Sequence, residues 1–264
     1  MTIRYLLSCL ILAMSAGSIG DQALAQEPLA ESVSAAEAPV PAPLPPPGEM
    51  ARCKQLIDSG LYIAARARLE PIVEQHPGWA RATSLLALTY YRENRFEPAK
   101  VLFAKALEAD PDEIAVRPLY GWTLYSLGEL DEARATFEEL LESKPDYTAA
   151  HYALGMIHLD SDEIVAARQL FETIVTLASE QEDAAMEGRA HGRLGELYVR
   201  VDDLPSAKRE LELAIVLFPD DHEALFRLSR VLQRLGDDEG AEVARNKYRE
   251  AKERNQPVVG RRPG

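Results

Sequence analysis

An alanine returns along this chain at Ala65, Ala99, Ala133 and Ala167, each 34 residues after the last, and again at Ala207 and Ala241. A fixed period of this length means one supersecondary unit used repeatedly. A unit too small to bury its own apolar face must stack on copies of itself. Within each period, apolar residues fall at spacings of three and four on both sides of a short turn, such as Arg92-Glu93-Asn94 or Leu127-Gly128-Glu129. This predicts two helices per unit and an all-α fold. Small residues at Cys53, Ala87, Gly121, Gly155, Gly195 and Ser229 in the first helix face the recurring alanines of the second. A larger side chain at either place would push the pair apart. Leu69, Phe103, Phe137, Phe171 and Leu211 are expected to fill the space between neighbouring units.

The residues around each alanine carry a resemblance. The second unit reads Thr83, Leu86, Ala87, Tyr90, Ala99, Phe103 and Pro111, and the third Tyr120, Gly121, Leu124, Ala133, Phe137 and Pro145. The fourth has Leu154, Gly155, Ala167 and Phe171, and the fifth Leu194, Gly195, Tyr198, Ala207, Leu211 and Pro219. This resembles the tetratricopeptide repeat, W-x2-L-G-x2-Y followed by A-x3-F and a closing proline, although the leading tryptophan is missing. The resemblance implies a right-handed superhelical solenoid of helix-turn-helix units over residues 49–255, divided near 49–79, 80–113, 114–147, 148–181, 182–221 and 222–255. The end units depart as caps should. Arg52 stands where leucine belongs, Arg245 replaces the large apolar residue, and a charged last helix is expected over Glu239 to Arg254. The fourth unit breaks the period: Ser179 takes the proline position, and Ala167 to Ala207 spans 40 residues. Ser179-Glu-Gln-Glu182 fits a capping box, so the six added residues are expected at the front of the next first helix, lengthening it by roughly 9 Å.

Ahead of the repeats, Leu6 to Gly20 is an apolar run too short to span a bilayer, and Ala23-Leu24-Ala25 ends it with the small residues of a cleavage site. This resembles a secretory signal peptide, residues 1–25, cleaved after Ala25. Residues 26–48 are rich in Ala and Pro and read as an extended spacer, and residues 256–264 as a disordered tail. The expected location is periplasmic or secreted, with no integral membrane segment once the signal is removed. Cys53 is then the one remaining thiol, read as a small buried filler.

With 43 acidic against 29 basic residues the chain carries a formal charge of -14, which repels phosphates and argues against nucleic acid as a partner. No glycine-rich phosphate loop, nucleophile elbow or metal-spaced cysteine pair occurs. No catalytic residue, metal or cofactor is therefore expected, and the protein is read as not an enzyme. His151 and His158, seven apart, fall on positions normally filled by large packing residues and are read as packing.

In solenoids of this family the first helices line a concave groove that takes a protein or peptide partner. Here the resemblance places Leu88, Tyr91, Trp122, Tyr125, Tyr152 and Met156 along the middle of that groove, and Arg189, Arg193, Arg200, Arg227, Arg230 and Arg234 towards its later end. Glu196 is the main exception to the basic stretch. The expected partner segment is apolar or aromatic at one end and acidic at the other. The competing expectation is that the arginine heads pair with carboxylates of adjacent repeats. A terminal-carboxylate clamp is disfavoured, because its slots carry Lys54, Leu88 and Trp122 and no asparagine. Substituting Trp122, Tyr125 and Arg193 together is expected to abolish capture without moving thermal unfolding. The function expected is an interaction scaffold or assembly factor of the cell envelope. A periplasmic holding chaperone, or an accessory subunit of an envelope enzyme or secretion complex, is the alternative.

Overall fold

The computed structural model describes residues 45–46, 48–113 and 115–254. The expected signal peptide, nearly all of the proline-rich spacer and the tail lie outside the described residues. Among the described residues there are twelve α-helices and no strand, arranged as six consecutive pairs. The pairs are α1 (Glu49–Asp58) with α2 (Tyr62–Gln75), α3 (Ala80–Arg92) with α4 (Phe96–Ala109), and α5 (Arg117–Leu127) with α6 (Leu130–Ser143). They continue with α7 (Thr148–Asp160) and α8 (Ile164–Glu180), α9 (Ala184–Arg200) and α10 (Leu204–Leu217), and α11 (His222–Arg234) and α12 (Asp238–Arg254). Each first helix packs on its own second helix, and each second helix on the first helix of the next unit.

The small residues do what close crossing demands. A Cβ added at Gly121 would lie 2.7 Å from the Phe137 ring, one at Gly155 2.8 Å from Phe171, and one at Gly195 2.6 Å from Leu211. The recurring alanines Ala65, Ala99, Ala133, Ala167, Ala207 and Ala241 have no solvent exposure at all. The same large residues also couple the units. Phe137 packs with Leu140 of α6 and with Ala150, Ala153 and Leu154 of α7, so its ring belongs to two units at once. Cys53 is fully buried beside Leu69, and burial pushes its thiol pKa up, away from reactivity.

The turn inside each pair uses one backbone device. Gly60, Asn94, Gly128, Asp162, Asp202 and Gly236 all have positive φ, and they follow the same 34-residue spacing, with one step of 40. Only Gly, Asn and Asp occur there, the residues that enter the left-handed region at least cost. Gly128, at φ +80 with open space around it, makes the requirement purely conformational. We expect Gly128→Ala to lower stability by about 1 kcal/mol and Gly128→Asn to cost less, the difference being read from urea unfolding. Equal effects of the two substitutions would show that the turn does not impose this conformation.

The added six residues lie only in part where the capping box places them. Ser179 lies inside α8, and the N-cap of α9 is Asp183, whose carboxylate accepts from the Met186 amide at 3.0 Å. Both helices are lengthened. α8 has 17 residues against 14 in α6, and α9 has 17 against 13 in α7. The physical reason is the missing proline: α6 and α10 stop two residues before Pro145 and Pro219, whereas at Ser179 nothing prevents another turn. The Gln181 side chain that follows this added turn reaches back to donate to the Asp146 carbonyl at 3.0 Å.

Candidate functional site: the inward face of the first helices

Successive first helices touch one another, α1 with α3, α5 with α7, α7 with α9 and α9 with α11. No second helix packs comparably on another second helix. The first helices therefore lie on the inside of the curve, and their free faces form a trough.

The aromatic residues expected there sit half-buried, with their rings rooted in the core. Tyr91 meets Phe96 and Phe103 edge-on at 5.8 and 6.4 Å, Trp122 meets Phe137 at 5.6 Å, and Tyr152 meets Phe171 at 5.8 Å. Trp122 also stands edge-on to Tyr125 at 5.4 Å. Leu88 and Met156 are half-buried against the neighbouring core clusters. The Tyr125 hydroxyl donates to Asp160, and burial together with that carboxylate raises its pKa. One side of each ring belongs to the fold and the other to the trough.

The later stretch is not an open array of positive charge. Arg193, with a side chain only 17% exposed, donates to the Tyr152 hydroxyl at 2.9 Å, to Glu196 at 2.8 Å and to Glu223 at 3.3 Å. Arg227 bridges the same two carboxylates, at 3.0 Å from Glu196 and 3.2 Å from Glu223. Arg200 donates to the Leu159 carbonyl at 2.8 Å and faces Asp162 and Glu196, while Arg234 pairs with Asp202. Burial alone would push the Glu223 pKa up, but Arg193 and Arg227 outweigh it and hold that carboxyl below the usual range.

Glu196 and Glu223 lie on the same inward helices as the arginines, α9 and α11, while Asp160 ends the neighbouring inward helix α7 and Asp162 and Asp202 sit in the turns just beyond α7 and α9. Arg189 and Arg230 differ from the other four. Among the described residues neither forms an ion pair; they lie over the rings of Phe218 and Phe226 at 5.4 and 5.9 Å. The geometry also revises the expected triple substitution, because Tyr125 and Arg193 hold structural bonds and their loss must move thermal unfolding.

The histidines are engaged separately. His151 Nε2 lies 2.8 Å from the Pro145 carbonyl and His158 pairs with Glu163, while His191 lies 2.8 Å from Glu210, whose pKa it lowers. Among the described residues no three of His, Cys, Asp and Glu are grouped as metal ligands. No helix among them is long and apolar enough to cross a membrane.

Stacked helical hairpins with a trough of paired charges and half-buried rings define a helical-repeat protein of the kind that holds other proteins or peptides. Two tetratricopeptide repeat families match the chain, one over residues 56–123 and the other over residues 121–182 and 193–256. The chain belongs to the tetratricopeptide repeat proteins. Among solved structures it is similar to PilW, a widely conserved type IV pilus biogenesis factor, at 18% identity and a TM-score of 0.65, with 76% of this chain and 91% of that one covered. Pseudomonas aeruginosa pilF gives 19% identity and a TM-score of 0.60 over 79% of this chain and 96% of its own. YrrB, described as a TPR protein with an unusual peptide-binding site, gives 21% and 0.54 over 67% and 88%. At these identities the likeness is one of fold. No curated protein matched the chain.

Proposed function

We propose that this protein is a non-enzymatic scaffold or assembly factor of the bacterial cell envelope, exported by its N-terminal signal and holding an extended segment of one partner protein in the trough. The observation that carries the reading is the row of half-buried rings, Tyr91, Trp122, Tyr125 and Tyr152, on successive inward helices. Each is anchored on one side and offers the other to a ligand, and rings held in this way give contact area with little loss of side-chain freedom. The signal-like start supports the envelope, and PilW, whose name records pilus biogenesis, supplies a fold-level precedent for assembly work.

The test is photo-crosslinking in intact cells, with benzoylphenylalanine placed at Tyr91 or Tyr152 and, as a control, at Val165 on the exposed side of α8. One discrete adduct from the trough positions and none from Val165 is the expected result, together with a mature N-terminus near Gln26. A smear of many unrelated adducts would favour the holding chaperone, and no trough-specific adduct would sink the proposal.

A further inference from the structure

The trough does not end as it runs. The inward helix α9 is packed upon by the next first helix, α11, and no further first helix follows α11 among the described residues. The position that shows this is Phe226, 34 residues after Gly192. Gly192 is buried, and a Cβ there would touch Asp221 and Ala224 of the following unit at 3.4 and 3.8 Å. Phe226, in the same place one unit later, is 45% exposed and leans on Tyr248 of α12 at 5.6 Å. α9, α11 and α12 thus enclose an open pocket of about 540 Å³, floored by Val199, Phe226, Val231 and Tyr248.

The charge around this pocket runs against that of the whole molecule. Four arginines, Arg200, Arg227, Arg230 and Arg234, line it against two glutamates, Glu196 and Glu223, in a chain of net charge -14. The glutamates are consumed by Arg193, Arg200 and Arg227. Among the described residues Arg230 has no ion-pair partner and is held over the Phe226 ring. An unmatched guanidinium beside an exposed ring asks for a ligand with the complementary pair, a carboxylate next to an apolar side chain.

We propose that this pocket is the anchor point of the trough: it takes an acidic segment of the partner protein, one apolar side chain entering between Val199, Phe226 and Tyr248 while a neighbouring carboxylate meets Arg230. The inference rests on the scaffold reading and adds to it the place and the chemistry of the strongest contact.

The test is fluorescence anisotropy with the purified protein and a fluorescein-labelled peptide, Glu-Asp-Glu-Phe-Glu-Asp. Controls are the same peptide with Ala for Phe and one with Lys at every acidic position. Phe226→Ala and Arg230→Glu should each weaken binding about tenfold, while Val165→Ala, on the exposed side of α8, should change it less than about twofold. Far-UV circular dichroism on each variant checks the fold, and both pocket positions are exposed enough to leave it intact. Binding of the Lys peptide as tightly as the acidic one, silence of both pocket variants, or no binding of the acidic peptide would overturn the anchor. If Trp122→Leu abolished binding while the pocket variants were silent, the anchor would fall and the trough would stand. Trough-specific crosslinks in cells, with no effect of the pocket variants on the peptide, would likewise remove the anchor and leave the trough in place.

Discussion

Phe137→Ala should lower the unfolding free energy by roughly 3–5 kcal/mol, a large share of what any domain of this size has in hand. The ring is fully buried, sits where Gly121 leaves it room, and reaches into the first helix of the following unit. Its loss opens a cavity in which α5, α6 and α7 cannot close together without losing their other contacts. Because stacked units communicate only with their neighbours, the damage should stay local. Hydrogen exchange should speed up most in α5 to α7 and least in α11 and α12. Phe137→Leu should be far milder, since Leu69 and Leu211 occupy the matching place in other units of this same chain. Phe226→Ala, at an exposed ring, is the control and should stay within about 0.5 kcal/mol of the parent. A cost below about 1 kcal/mol for Phe137→Ala would mean that the ring does not join the units.

What the amino-acid sequence made legible was whatever repeats. Ala133, Gly121 and Phe137 recur one period on as Ala167, Gly155 and Phe171, so the helix crossings could be placed before any coordinates. The turn residues Asn94, Asp162 and Asp202 follow the same spacing, and their shared positive φ could have been read from it. The irregular junction was read less well. Ser179 offered a capping box, whereas the residue that caps α9 is Asp183, four residues on. The start of α9 depended on whether α8 would run past the place where its sisters meet a proline. The charges were legible only in part. Arg193 with Glu196, and Glu223 with Arg227, lie three and four residues apart on one helix and announce themselves. Arg193 with Tyr152 and Arg234 with Asp202 join different units, and their meeting depends on how the units turn against each other. That turn includes the added residues of α8 and α9, which no periodicity describes.

The Arg193 cluster yields the second large effect. Arg193→Met keeps the aliphatic stem and removes the head, leaving the Tyr152 hydroxyl without its donor and Glu196 and Glu223 dependent on Arg200 and Arg227. Removing one partner from a half-buried charge cluster costs more than its attraction was worth, because the others stay partly desolvated. Glu223 is about half exposed, which reduces the penalty. We expect about 2 kcal/mol by urea unfolding at neutral pH, against about 0.5 kcal/mol or less for Arg230→Met, whose head meets only a ring. The difference should depend on pH in one direction. Glu223 has its pKa lowered in the folded protein, so what it contributes is complete above the ordinary glutamate value of about 4.3 and disappears as the pH falls through the folded one. The gap between parent and Arg193→Met should therefore narrow on the acid side of that value, leaving the share of the Tyr152 bond, and the Arg230→Met curve should run parallel to the parent throughout. Equal losses for the two arginines at neutral pH would mean that the cluster is a solvated surface network, and Arg193 would then be as free as Arg230 to serve a ligand.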